Sequence, residues 1–234
     1  NYANNWILDT AAKGKIPFDL LCVLSQNYDL SFIKDEQLET IKNNTVQFLG
    51  LNYYSRVLVK PYTQGDTVLV VNNTGKSNKG KSKVIIKGWF EQIMDNPDAI
   101  YTEWDTEIYP QGLEKGLLEV YKRYHLPIYI TENGIGVREK ITDEMLEDDY
   151  RISFMNDHIN SIMNAVDKGV DVRGYYAWSS FDLYSWKNGV EKRYGLVGIN
   201  FDDALKRIPK KSYYWYKKII ADNGNSIERK EWNL

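Results

Sequence analysis

The stretch from 127 to 178 constrains this chain most. A short apolar run, PIYIT at 127–131, is followed by a long helical pattern over 149–168 and then by a second β-rich run, VRGYYAW at 172–178. Within the helical segment Ile152, Met155, Ile159, Ile162, Met163 and Val166 recur near a 3.6-residue period, and Gly169 supplies a stop. The same alternation extends both ways. VQFLGLN (46–52) reads as a strand, and Pro110 opens a helix carrying Leu113, Leu117, Leu118, Val120, Tyr121 and Tyr124. Downstream, YGLVGIN (194–200) is extended again and KKSYYWYKKII follows Pro209 as a helix. DEQLETIKN (35–43) adds a short helix near the start. Strand, helix, strand, helix is the rhythm of βα units on a parallel sheet, so the fold class is α/β. With 234 residues, no internal repeat and no low-complexity linker, one core is affordable in length.

Charge and composition narrow the function classes. The net charge of −2 provides no global field for nucleic acid or membrane. No apolar run reaches the roughly 20 residues of a membrane-spanning helix. Cys22 is the lone cysteine, which rules out an internal disulfide framework and suits a reducing compartment. His125 and His158 lie far apart without a cysteine or carboxylate cluster at ligand spacing, so both read as structural and neither a metal nor a cofactor is expected. Tyr (18) and Trp (7) are abundant, which fits sugar faces and half-buried core positions alike. The chain opens NYANNWILDT with no initiator Met and reads as a fragment.

One motif points elsewhere. GKSNKGKS at 75–82 fits the phosphate-cradling pattern G-x-x-x-x-G-K-[ST]. A phosphate loop needs a helix starting at its Lys-Ser, so that amide N–H groups and the helix dipole meet the phosphates. Here Lys81-Ser82 leads into KVIIKG, a β-branched run ended by Gly88. A polar loop joining the strands Val68–Val71 and Val84–Ile86 is the expectation, with a nucleotide site as the less favoured alternative.

The chemistry-bearing residues gather at strand ends. Glu132 follows PIYIT directly, where α/β folds present reactive groups, and Asn133-Gly134 reads as a tight turn that aims it. Taken alone, the motif equally fits a glutamate closing a loop. LNYYSR (51–56) places Asn52 and Tyr54 at the end of another strand, on one face by alternation. WSSFDLYSW (178–186) places Trp178 at the end of a third. A carboxylate, an amide, a phenol and an indole converging this way match retaining glycoside hydrolysis: carboxylate attack at the anomeric carbon, a hydroxyl steadying the nucleophile, and an indole beneath the ring.

Thr131-Glu132-Asn133-Gly134, Asn52-Tyr53-Tyr54, W-S-x-x-D at 178–182 and RYGL at 193–196 resemble glycoside hydrolase family 1, in the family's order and spacing. The resemblance covers essentially the whole chain but only the C-terminal half of a family member. It implies about the last three βα units of a (β/α)8 TIM barrel, so that residues 1–234 form a single partial domain. It also implies that Glu132 is the nucleophile, Tyr54 its hydrogen-bond partner, Asn52 a neighbour at the catalytic site and Trp178 the sugar platform.

Two departures refine the expected substrate. Ordinary members carry a glutamate that grips sugar hydroxyls after W-S-x-x-D; this chain has Ser185 before Trp186, followed by Lys192 and Tyr194. A carboxylate there would repel a sugar 6-phosphate, whereas a hydroxyl, an ammonium and a phenol can grip one. The spacing resembles the phosphate clamp of the 6-phospho-β-glycosidase branch. Without the family frame, Ser185 is equally a turn residue and VEKR a solvated charge run. Trp186 bears on the choice between gluco and galacto epimers and leaves both open, with glucose preferred. In TEWDTEIYP (102–110), Thr106 stands where relatives often have a second Trp.

The family's general acid/base motif, T-x-N-E-P, does not occur in the chain. The resemblance therefore implies an O-glycosyl hydrolase whose proton donor is missing here, leaving these residues inactive by themselves. Open barrel edges are expected to invite self-association. Sugar phosphates as substrates imply a cytoplasmic location, with no nucleic-acid or membrane partner. The alternatives are an ordinary β-glucosidase, a non-catalytic sugar-phosphate binding module and a phosphate-loop nucleotide binder.

Overall fold

The computed structural model describes residues 5–70, 83–93, 96–186 and 188–232. In chain order the elements are α1 (Trp6–Lys13), α2 (Phe18–Ser25), α3 (Asp35–Asn43), β1 (Leu49–Asn52), β2 (Leu58–Tyr62), β3 (Val68–Val70), β4 (Lys83–Ile86), β5 (Trp89–Ile93), β6 (Ile100–Tyr101), β7 (Glu107–Ile108), α4 (Pro110–Tyr124), β8 (Ile128–Asn133), α5 (Asp149–Asp167), β9 (Val172–Ala177), β10 (Val197–Asn200), β11 (Lys206–Pro209) and α6 (Lys211–Ala221).

The organising sheet is parallel, in the order β1-β8-β9. Each of its strands is followed by a helix, giving the units β1–α4, β8–α5 and β9–α6. Ile128 and Ile130 of β8 are fully buried and pack with Leu113 and Leu117 of α4 and Ile162 and Ala165 of α5. This period-2 face against two period-3.6 faces is the cement of a βα layer. The helix over 149–168 forms as its pattern predicts, with one revision. Val166 is 45% exposed, and Ala165 takes the buried position beside it. Burial on α5 runs most of the way round, because α4, α6 and the C-terminal segment all lean on it.

The long connection between β1 and α4 forms a separate antiparallel sheet, in the order β2-β5-β4-β3. Val68 pairs with Ile85 and Val70 with Lys83, so the two β-branched runs are partners across a hairpin. The GKSNKGKS stretch between them lies outside the described residues. Among the described residues β1 and β9 each have one sheet partner, so both outer edges of the parallel sheet are open.

A buried ionic network ties the segment after β8 to the segment after β9. Arg151 donates to Glu139 at 2.7 Å and to Asp148 at 2.9 Å. Lys210, fully buried, bridges Glu139 at 2.5 Å and Asp182 at 3.1 Å, and Arg193 reaches Asp182 at 3.1 Å. Three carboxylates face three cations, and backbone N–H groups of Gly195 and Ile199 complete Asp182. Removing one member leaves opposite charges buried without compensation. Lys210→Met is therefore expected to destabilise the fold by about 3–5 kcal/mol, read as a lower urea midpoint with unchanged slope.

Candidate active site

A cleft of about 760 Å³ opens at the carboxyl ends of β1, β8 and β9. Tyr54, Glu132, Trp178, Ser185, Trp186, Lys192 and Tyr194 all line it. Asn52 does not. It is the register partner of Glu132 across β1 and β8, but its Oδ1 accepts a 2.7 Å hydrogen bond from Thr131 Oγ1 on the neighbouring surface.

Glu132 and Tyr54 are directly coupled. The Tyr54 hydroxyl donates to Glu132 Oε2 at 2.6 Å. Burial first, and then that carboxylate, hold the Tyr54 phenol well above its usual range, so it remains a donor at any working pH. An irregularity in the β1–β8 register between Leu51 and Asn52 accompanies this arrangement, and the Tyr53 N–H reaches the Glu132 carbonyl at 2.9 Å.

The neighbours of Glu132 do a different job from the tight turn their sequence suggests. Asn133 is the last residue of β8 and is fully buried. Its Nδ2 donates to the Tyr53 carbonyl at 2.8 Å, and its Oδ1 accepts from the Tyr175 hydroxyl at 2.9 Å, so it clamps β8 to both neighbours. Gly134 has no left-handed backbone; it is needed for space. A Cβ there would lie 1.8 Å from the Trp178 carbonyl oxygen. Trp178 in turn donates its N–H to the Asn133 carbonyl at 2.8 Å, and its peptide bond to Ser179 is cis. Any side chain at 134 would push the Trp178 backbone away from Glu132.

The cleft is also lined by the Ser185–Tyr194 segment. Ser185 and Gly189 exchange backbone hydrogen bonds at 2.8 Å, and Ser185 Oγ accepts the Asn188 N–H at 3.2 Å. Lys192 is half-buried, with its ammonium 4.9 Å from the Trp104 ring centre and 5.4 Å from that of Tyr194. Burial alone lowers its pKa to about 8. Burial also pushes the Tyr194 phenol up to about 12. Gly136 makes the room, since a Cβ would sit 2.6 Å from both Lys192 Cε and Tyr194 Cε1. Trp186 is 88% exposed at the cleft rim.

Three features of the cleft escape sequence reading. Glu107 is a second carboxylate on its wall, but Arg56 grips it through both Nε (2.9 Å) and Nη2 (2.8 Å). Trp104 is buried in the wall, and its indole N–H finds no partner among the described residues. Arg151 donates to the carbonyls of Ile135 and Tyr194, anchoring both cleft walls to the ionic network below. The one signal was that Asp182 and Arg193 sit inside recognisable motifs. No group of three or more potential metal ligands occurs among the described residues, and no described helix is long and apolar enough to cross a membrane.

Parallel βα units with a cleft over the carboxyl ends of their strands make this a segment of a (β/α)8 barrel. The model of glycosyl hydrolase family 1 matches residues 1–225, and the chain belongs to that family. It is 36% identical over 232 residues to the Bacillus subtilis Aryl-phospho-beta-D-glucosidase BglC, covering 97% of this chain and 48% of that protein. It is 40% identical over 224 residues to the 6-phospho-beta-galactosidase of Leptotrichia buccalis, covering 92% and 47%. Among solved structures, the Thermotoga maritima beta-glucosidase in complex with azafagomine matches with a TM-score of 0.74 at 27% identity, covering 94% of this chain and 44% of the other. The chain thus spans about half the length of the curated relatives it matches.

Proposed function

We propose that this chain carries the nucleophile and the phosphate-recognition wall of a retaining glycosidase acting on 6-phospho-β-D-glucosides, with the galacto epimers also open to it. The observation that supports this most is one cleft lined both by a hydrogen-bonded Glu132–Tyr54 pair and by Ser185, Lys192 and Tyr194.

In this reading Glu132 attacks the anomeric carbon while the aglycone oxygen leaves with a proton, and water then hydrolyses the glycosyl ester with retention of configuration. Tyr54 holds the attacking carboxylate in position, and Trp178 underlies the sugar ring. Lys192 offers charge, and Ser185 and Tyr194 offer hydroxyls, to the 6-phosphate. Asn52, expected at the catalytic site, pairs instead with Thr131 beside the cleft and has no contact with substrate in this reading. Retaining glycosidases keep their two carboxyls roughly 5 Å apart. Glu107, the other cleft carboxylate, is committed to Arg56. The proton donor is therefore assigned to sequence outside this chain. That sequence would also cover the open edges of β1 and β9; without it, those edges favour self-association. On this substrate the enzyme works in the cytoplasm, where sugar phosphates occur. Residues 1–234 act as one partial domain, inactive alone.

Incubation with a dinitrophenyl 2-deoxy-2-fluoro-β-D-glucoside 6-phosphate tests the chemistry, because the activated leaving group needs no acid. A stable adduct on the peptide containing Glu132 is expected; an adduct elsewhere, or none in the full-length protein carrying this sequence, would contradict it. Tyr54→Phe removes the hydroxyl that donates to Glu132. It is expected to cut kcat about ten- to a hundredfold, in line with loss of a hydrogen bond to a charged group, with KM little changed.

A further inference from the structure

Trp104 lies in the TEWDTEIYP segment and is 5% exposed. Two cations lie over its ring: the Lys192 ammonium at 4.9 Å from the centre and the Arg138 guanidinium carbon at 5.2 Å. Their situations differ. Arg138 is neutralised by Glu103 at 3.1 Å and Glu191 at 2.7 Å. Lys192 has no carboxylate at ion-pair distance among the described residues; aromatic faces are its partners.

That difference matters for an anion site. An ammonium on a flexible four-carbon stem escapes to water unless something holds it. A carboxylate would hold it, but would also cancel its charge and repel an incoming phosphate. A ring face attracts the cation through its quadrupole and leaves the full positive charge available. Gly136 keeps the space in which the Lys192 stem lies beside Tyr194.

We propose that Trp104 is a positioning residue: its indole face holds the Lys192 ammonium in the cleft, uncancelled, for the phosphate of the substrate. The role rests on reading the cleft as a sugar-phosphate site. The buried indole N–H bonds to nothing among the described residues, so a change confined to the ring face breaks no hydrogen bond.

The test uses the full-length protein carrying this sequence, with Trp104 replaced by tetrafluorotryptophan, by Leu or by Phe. Tetrafluorotryptophan nearly preserves the shape and removes the negative face, which keeps the test valid if Trp104→Leu fails to fold. The substrates are a nitrophenyl β-D-glucoside 6-phosphate and the same glucoside without phosphate. Fluorination and Trp104→Leu are expected to raise KM for the phosphorylated substrate by about 3- to 30-fold, the range of a partly desolvated cation–π contact. The kcat values and the plain glucoside should change less than twofold, and Phe should recover part of the loss. A phosphate-selective wild type whose selectivity survives fluorination overturns the role of Trp104 alone, as does an equal loss on both substrates. A wild type indifferent to the phosphate overturns the functional reading itself, and this role with it.

Discussion

Glu132→Ala is expected to lower kcat on aryl glycosides by about ten-thousandfold or more, because the covalent nucleophile is lost and the other carboxylate among the described cleft residues is already committed. Glu107, the nearest alternative in kind, is held bidentately by Arg56 and is not free to attack. The loss should be chemical and not structural. Glu132 takes no part in the buried ionic network, so unfolding curves should overlay those of wild type. Azide added to the variant should enter the vacated space, form the C–N bond at the anomeric carbon as the aryl oxide departs, and give the inverted glycosyl azide. Retention of a tenth of wild-type kcat, or a retained azide product, would contradict the assignment.

Lys192→Ala has the second largest expected effect. Truncating one partner of a desolvated charge pair typically costs 2–5 kcal/mol, so kcat/KM for a 6-phosphorylated substrate should fall by about thirty- to a few thousandfold. The plain glucoside should be unaffected or slightly improved, since the variant loses a cation that a neutral sugar does not use. The pH dependence follows from the same residue. Burial favours the neutral amine and sets its pKa at about 8 in the free site, so the cation prevails below that pH and disappears above it. Selectivity for the phosphorylated substrate is expected to decline as pH rises through about 8 in wild type, and this alkaline limb should vanish in Lys192→Ala. A fall of equal size on both substrates would mean that Lys192 supports the fold and not the phosphate.

The sequence displays the parts of this molecule that depend on local periodicity. The helices over 110–124 and 149–167, and the strands preceding and following them, are legible because one apolar face recurs at 3.6 or 2 residues. Of the residues expected at strand ends, Glu132, Tyr54 and Trp178 line one cleft, because parallel strands bring their carboxyl ends to one face; Ser185, Trp186, Lys192 and Tyr194, singled out through the family resemblance, line it too. Asn52 lies beside that cleft, bonded to Thr131; strand alternation does not carry to Tyr54, because β1 ends at Asn52.

What stayed hidden depends on distance in the chain. Glu139, Asp148, Arg151 and Lys210 look like surface charges, and although Asp182 and Arg193 belong to quoted motifs, only folding brings the six together and buries most of them. Gly134 reads as a turn residue because glycine after asparagine usually is one; here the need is the approach of the Trp178 carbonyl. Of the sheet β2-β5-β4-β3, the β-branched runs of β3 and β4 are legible, whereas β2 and β5 are short strands with weak alternation, and α1 and α2 are too short for a clear period. Trp104 carries no local sign of its two cations, one of which comes from the far side of the cleft loop.

The central claim is that the cleft selects a phosphorylated sugar. The most direct measurement is the ratio of kcat/KM values for a nitrophenyl β-D-glucoside 6-phosphate and the unphosphorylated glucoside, at one pH below 8, in the full-length wild-type protein carrying this sequence. A ratio of about a hundred or more is expected from a desolvated ammonium and two hydroxyls meeting a phosphate. A ratio at or below one would contradict the account and leave a β-glucosidase with a serine at its rim.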